Sequence, residues 1–317
     1  MSEIKLLKTI KELPPDDKYE FAPGHRLCAG CAIPILVKIT LKVIPDPKVI
    51  VNATGCLEVA TTIYPYTSWN VPWVHNAFEN AAATASGIEA AFKIFEKKYG
   101  KKKPHIIVFA GDGGTFDIGI QALSGALERG HDFVYICYDN NAYMNTGIQR
   151  SSATPRGART TTSPAGEVIP GKPERSKDLI AIAVAHGIEY AATANPAYPI
   201  DLANKLIKAD AVEGPAVIHY FSPCPTGWYF DPSLSIKIAK LAVETGVWPL
   251  YEVENGKYKI NSPSLKYLKS PKPLEEYLKL QGRFKHLLKP ENKWMLDLYK
   301  QDIEYQWTLL KRLTGIG

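Results

Sequence analysis

Runs of apolar residues, broken at intervals by glycine and proline, set out an alternation of strands and helices. The first 25 residues have no such run and carry Pro14-Pro15 and Pro23-Gly24, so residues 1–25 are expected to form an extended arm. PILVKITLKVI, from Pro34 to Ile44, is apolar enough for a buried helix, and VIVNATGC reads as a strand entering a turn at Cys56. Asn76 to Tyr99, rich in alanine and closed by Gly100, predicts a helix with a glycine stop. The clearest unit follows: strand His105–Ala110 (HIIVFA), turn GDGG, helix Ile118–Arg129 and strand Phe133–Tyr138 (FVYICY). Such a strand–helix–strand crossover builds a parallel sheet. Leu179 to Ala192 returns to helical spacing, and AVIHYF (Ala216–Phe221) reads as the last strand.

Residues 146–177 are polar and rich in Gly, Ser, Thr and Pro. A loop this long inside a compact domain is usually functional or mobile. Beyond Pro263 the chain reads as peripheral, with Met295, Leu298, Tyr299, Ile303, Trp307 and Leu310 on one helical face. No internal repeat is apparent. The expected architecture is α/β: an open, mostly parallel sheet flanked by helices over 26–262, between an N-terminal arm (1–25) and a C-terminal arm (263–317).

Composition narrows the class. With 317 residues the chain can bury a full core, and 45% hydrophobic and 22% charged residues are ordinary for a soluble globular protein. No apolar stretch approaches the roughly 20 residues of a membrane span. The charged N-terminus lacks the apolar core of a signal peptide, so a cytoplasmic protein is expected. The net charge of +6 is concentrated in the tail, where eleven Lys/Arg face six Asp/Glu from Pro263 onward. That excess is either a solvated lysine-rich surface or a docking surface for an acidic partner. No recognition motif accompanies it, so nucleic acid is not expected.

Two features carry chemistry. Ligands of open parallel sheets bind at the carboxyl ends of strands, where both Gly111-Asp112-Gly113 and DNNAYMN (Asp139–Asn145) fall. Glycines in such a turn let backbone N–H groups approach a phosphate, yet neither a GxGxxG nor a Walker A motif is present. An aspartate in the turn would repel a bare diphosphate. It makes sense if Asp112 holds a divalent cation that bridges to the phosphates, with Asn140 Oδ1 and a nearby backbone carbonyl as further oxygen ligands. Taken alone, GDG is equally an ordinary tight turn. The second feature is the cysteines, five in number. Cys28 and Cys31 form the CxxC of CAGC, Cys56 lies in ATGC and Cys224 in SPCPTGW. Four thiolates hold zinc or an iron–sulfur cluster, or are plain buried thiols, and the spacing does not choose among these. Cys137, inside FVYICY, is left over as a core residue.

With their flanks, GDGGTFDIGIQALSGALERG and YDNNAYMNTGIQRSSATP, the two motifs resemble the thiamine-diphosphate-binding motif. More narrowly, they resemble the β subunits of the multi-subunit pyruvate (2-oxoacid):ferredoxin oxidoreductases. The likeness continues through PCPTGW, IAKLAVETGVWPLYEVENG and EEYLKLQGRFKHL, nearly the whole chain. It implies a thiamine-diphosphate-binding fold of the diphosphate type. It implies that Asp112, the Asn140 side chain and the Ala142 carbonyl hold magnesium. Thr54, Gly55, Gly111, Gly113, Tyr143, Asn145 and Thr146 then complete the cofactor site, with Asn145 next to the substrate as a catalytic residue. Cys28, Cys31, Cys56 and Cys224 match the ligands of the 4Fe–4S cluster nearest the thiamine, which places Cys56 and GDG together in space.

The same resemblance implies oxidative decarboxylation of a 2-oxoacid, with one-electron transfer to the cluster and acyl transfer to coenzyme A. It also implies α, γ and δ partner subunits, a ferredoxin acceptor, and an activating glutamate on the α subunit. The region of Trp294 and Trp307 is expected to pack against a partner. Pyruvate is the expected substrate; a branched-chain 2-oxoacid, or oxalate without coenzyme A, are the alternatives within the family. A non-oxidative thiamine decarboxylase and a zinc-stabilised binding module are the alternatives outside it. The chain departs from the family at Asn141, where a glutamate is common, and at Arg156 and Arg159, where aromatics are common. The arginines are read as surface residues, or as ligands for coenzyme A phosphates or a second carboxylate. His75 and Glu79, i and i+4 on the expected helix, are read as packing, capping or catalytic residues.

Overall fold

The computed structural model describes residues 4–316; residues 1–3 of the expected N-terminal arm and residue 317 of the C-terminal one lie outside the described residues. Strands Lys48–Ala53 (β1), Trp73–Asn76 (β2), His105–Gly111 (β3), Val134–Asp139 (β4), Tyr190–Ala194 (β5), Ala216–Phe221 (β6), Tyr251–Glu254 (β7) and Lys257–Ile260 (β8) form one sheet. Its order is β2-β1-β3-β4-β6-β5-β7-β8, parallel from β2 through β5 and antiparallel at β7 and β8. The central strands are near-continuous apolar runs, as expected where helices cover both faces.

Side-chain alternation divides them between two cores. Val49, Val51, Ala53, Val108 and Ala110 face the helices Ala81–Tyr99 and Ile120–Glu128, and the fully buried Cys137 lies among them as a core residue. Ile50, Ile107, Phe109, Ile136 and Ile218 face the helices Ile33–Val43 and Pro199–Asp210. The N-terminal arm is tied to this body: Phe21 bridges to Trp69, and the Leu7 N–H donates to Asn204 Oδ1 at 2.7 Å.

Four expectations are corrected. The helix expected from Asn76 begins at Ala81, because Trp73–Asn76 is strand β2. The helix expected over Leu179–Ala192 ends at Val184; Gly187, at φ +73°, turns the chain, and Tyr190 opens β5. A short, fully buried apolar run carries no period that separates strand from helix. Ala216–Phe221 is not the last strand. Asn255 and Gly256, both at positive φ, close a two-residue hairpin between β7 and β8, a turn that the Asn-Gly pair in VENGKY favours.

The fourth correction concerns the segment beyond Pro263. Tyr277, Leu278, Phe284 and Leu287 are fully buried in a third core with Phe221, Trp228, Ile238, Met295 and Tyr299. The long helix Lys293–Thr314 lies over this core, and Trp307 Nε1 donates to the Gly246 carbonyl at 2.8 Å, so Trp307 is seated on its own chain. Trp294 is half exposed.

Candidate functional site

Four adjacent strands deliver the site. β1 ends in Thr54-Gly55-Cys56, β3 in Gly111–Gly114, β4 in Asp139–Asn145, and β6 leads to Cys224. These are carboxyl ends of parallel strands, where an open sheet leaves a crevice. Behind the GDG turn the chain makes one π-helical turn, Gly114–Ile118, before the α-helix starts at Ile120. Two glycines make this packing possible. A Cβ on Gly113 would lie 2.4 Å from the Tyr143 ring, and one on Gly119 would lie 2.1 Å from the Gly114 carbonyl oxygen. Tyr143 is held there by its hydroxyl, which donates to the Gly113 carbonyl at 2.8 Å, and by Phe78 against its ring.

A cavity of about 280 Å³ opens at these strand ends. Every residue expected to bind cofactor lines it: Thr54, Gly55, Gly111, Asp112, Gly113, Asn140, Ala142, Tyr143, Asn145 and Thr146. Cys56 lines it as well, so GDG and Cys56 meet as expected. Asn145 and Thr146 are exposed at its mouth. Tyr138 lines it with a buried hydroxyl that has no hydrogen-bond partner among the described residues.

Asp112 is 1% exposed. Its carboxylate accepts from the Asn140 N–H and the Ser151 hydroxyl, and no cationic side chain pairs with it among the described residues. Burial, and then the Asp139 carboxylate nearby, push its pKa well above the ordinary carboxylate range. Beside it the side-chain oxygen of Asn140 faces Asp112 Oδ1 at 3.0 Å and the Ala142 carbonyl at 2.9 Å. Three oxygens so placed repel one another. Either the amide turns over and donates to both, or a cation sits among them. The buried, unpaired carboxylate favours the cation, since a divalent ion would offset both its desolvation and its repulsion from Asp139.

The thiols gather on the other side of Cys56. Cys28 is exposed and Cys31, Cys56 and Cys224 are half-buried; all five cysteines of the chain are unpaired. Burial raises the Cys31 thiol to about 12 and the Cys56 thiol further, and the facing cysteines add to both. Cys224 Sγ accepts from the Gly227 N–H at 3.3 Å, and Cys28 Sγ from the Thr226 hydroxyl at 3.6 Å. Among the described residues no three His, Cys, Asp or Glu side chains close on a single-ion site. Four thiols that face one another in this way can hold zinc or an iron–sulfur cluster.

The thiamine pyrophosphate enzyme family, C-terminal TPP-binding domain, matches residues 53–220. The chain is 58% identical to the pyruvate synthase subunit PorB of Methanocaldococcus jannaschii, over 86% of this chain and 91% of that one. It is 48% identical to the ketoisovalerate oxidoreductase subunit VorB of Pyrococcus furiosus, over 93% and 94% of the two chains. The chain belongs to the β subunits of the 2-oxoacid:ferredoxin oxidoreductases. A solved 2-oxoglutarate:ferredoxin oxidoreductase from Magnetococcus marinus, with 2-oxoglutarate, coenzyme A and succinyl-CoA bound, shares the fold. That likeness has a TM-score of 0.58 at 20% identity, over 93% of this chain and 99% of that one.

In this β subunit His75 and Glu79 do not share a helix. His75 lies on β2, where its Nε2 is 2.9 Å from the Thr54 hydroxyl, and Glu79 precedes the helix. Arg156 pairs with Asp302 on the C-terminal helix, Nε to Oδ2 at 2.7 Å, and is not free for a ligand phosphate. Arg159 is exposed, over the Tyr229 ring. Asn141 stands at φ +62°, a left-handed conformation asparagine tolerates, and its amide bridges Asp139 to Arg283. Ser151, Trp228 and Arg283 are the site residues that sequence reading did not single out; each lies in a segment read there, and its role comes from contacts across 39, 88 and 142 residues. A broader, open cavity of about 990 Å³ lies beyond Asn141, under the C-terminal helix. It lacks the oxygen cluster and the thiols, so the smaller cavity is the candidate site.

Proposed function

We propose that the chain is the catalytic β subunit of a pyruvate:ferredoxin oxidoreductase. It would carry out oxidative decarboxylation of pyruvate with acyl transfer to coenzyme A, alongside α, γ and δ subunits and a ferredoxin. The observation that carries this reading is Cys56, which lines the oxygen-rich cavity and belongs to the thiol quartet, so the two features form one site. Asp112, Asn140 Oδ1 and the Ala142 carbonyl would hold magnesium, a hard ion suited to a few oxygens plus phosphate. Cys28, Cys31, Cys56 and Cys224 would hold a 4Fe–4S cluster. Thiamine diphosphate supplies, when bound, the carbanion chemistry and the electron sink that decarboxylation needs.

This chain's own part is positioning. The Gly111–Gly114 turn would offer backbone N–H groups to the diphosphate, with Thr54 and Gly55 also lining the cavity, and Tyr143 with Phe78 would wall it against water. Asn145 and Thr146, at the mouth, would meet the substrate. The glutamate that activates the aminopyrimidine would come from the α subunit. Exposed Trp294, Tyr305 and Leu313 on the C-terminal helix offer a surface for a partner. Five unpaired cysteines suit a reducing cytoplasm.

The two named relatives favour pyruvate and a branched-chain acid, in that order of identity. With Arg156 taken by Asp302, a dicarboxylate or oxalate has less support. The deciding experiment is an anaerobic assay of the co-purified complex with a viologen acceptor against pyruvate, 2-oxoisovalerate, 2-oxoglutarate and oxalate. Pyruvate should give the highest kcat/KM, with iron and thiamine present. Zinc without iron, or no thiamine, would end the proposal.

A further inference from the structure

Arg283 is a large cationic side chain buried beside the site, and among the described residues no acid is in contact with it. It is 2% exposed. Its guanidinium donates to Gln281 Oε1 at 3.0 Å, Asn141 Oδ1 at 3.0 Å and the Tyr277 hydroxyl at 3.3 Å, all neutral acceptors. Its flat face lies 3.6 Å from the centre of the Trp228 ring. Burying an arginine against neutral partners is costly, so a buried, unpaired cation invites a functional account.

Its two contacts reach both halves of the site. Asn141 is the neighbour of Asn140, whose amide oxygen faces Asp112. Trp228 closes the short turn that Cys224 opens: its N–H donates to the Cys224 carbonyl at 2.9 Å, and its indole N–H donates to the Asn140 carbonyl at 2.8 Å. Arg283 therefore clamps the oxygen-bearing loop to the thiol-bearing turn. Its fixed charge lies against Trp228, the residue that closes the turn opened by Cys224.

We propose that Arg283 is a positioning residue that joins the Asn140–Ala142 loop to the Cys224–Trp228 turn, and that its buried charge raises the reduction potential of the cluster held there. The inference rests on the cluster reading of the four cysteines. Reduction adds negative charge to a cluster, and a nearby cation in a poorly solvated setting stabilises the reduced form. The source of the charge is this chain's own C-terminal segment.

The test uses the intact co-purified complex, in an anaerobic redox titration followed by electron paramagnetic resonance. The signal followed is the one that Cys224→Ser abolishes. Arg283→Gln should lower its midpoint by at least the equivalent of a tenfold change in the reduction equilibrium, about 59 mV for one electron. Arg283→Lys, which keeps the charge and loses the fork, should hold the wild-type midpoint while the magnesium concentration needed to retain thiamine diphosphate rises. An unmoved midpoint in an iron-replete Arg283→Gln complex overturns the inference and leaves the proposed function standing. A wild-type complex without a titrating cluster overturns both. If Arg283→Gln loses its iron, Arg283→Lys decides: a held midpoint supports the charge effect and a fallen one refutes it. Loss of iron from both variants refutes the charge effect and supports the clamp alone.

Discussion

Asp112 is the residue where burial and charge conflict most. Fully enclosed, repelled by Asp139 and, among the described residues, held by an N–H and a hydroxyl with no cationic side chain, its carboxylate is costly unless a cation joins it. Asp112→Ala should weaken thiamine diphosphate retention by about 100-fold or more, close to 3 kcal/mol, because the metal bridge is lost. Iron content should stay near wild type. Equilibrium dialysis with iron analysis measures both, and unchanged cofactor retention would refute the metal bridge. Gly113→Ala acts by shape. The added methyl would displace the Tyr143 ring, an overpacking cost of roughly 1–3 kcal/mol, so cofactor affinity should fall about tenfold or more with the cysteines untouched. That Asp112 and Asn140 line the cavity was legible in the sequence because each follows a strand in a local motif; Ala142 was named only through the family resemblance. Ser151 and Arg283 were not legible, since their roles depend on contacts spanning 39 and 142 residues.

At the level of elements, the sheet was legible wherever an apolar run was bounded by a turn, as in β3, its GDG turn and β4. β5 was mistaken for helix because a five-residue buried strand has no periodicity of its own. β7 and β8 were passed over although Asn255-Gly256 joins them, because β8 is short and half polar. These late strands depend on Glu252. Burial alone would raise its pKa, yet the Lys208 and Lys205 ammonium groups and the Tyr190 hydroxyl outweigh burial and lower it to about 2. A carboxylate depressed in the folded state contributes stability above its unfolded pKa of 4.5 and loses it as pH falls through the folded value. Glu252→Gln should therefore cost about 2 kcal/mol near pH 7, roughly 3 °C in Tm for a chain of this size. The gap between variant and parent should close as pH drops from about 4.5 toward 2. Thermal melts across that range check the sign; a gap that persists at the acid end would mean that Glu252 acts by shape and not by charge.

Across the whole molecule, the parallel sheet brings two chemistries together by strand order. β1, β3, β4 and β6 are neighbours, so Cys56, the GDG turn, the Asn140 loop and Cys224 meet at one edge although they are scattered along the chain. The C-terminal segment, read from sequence as peripheral, supplies a core of its own and carries Arg283 to that edge. If the site divides in this way, damage to either half should leave the other intact. Cys56→Ser removes one thiolate from the quartet and leaves a hydroxyl of similar size on the wall of the oxygen-rich cavity. Iron content and viologen reduction should collapse together. Thiamine diphosphate should still bind within a fewfold of wild type, because Asp112, Asn140 and Ala142 are unchanged. Single-turnover carbon dioxide release from pyruvate should persist while electrons fail to reach the acceptor, the converse of Asp112→Ala, where iron stays and carbon dioxide release stops. Loss of cofactor binding in Cys56→Ser would instead make the two halves one interdependent site, with the Thr54–Cys56 turn as their shared support.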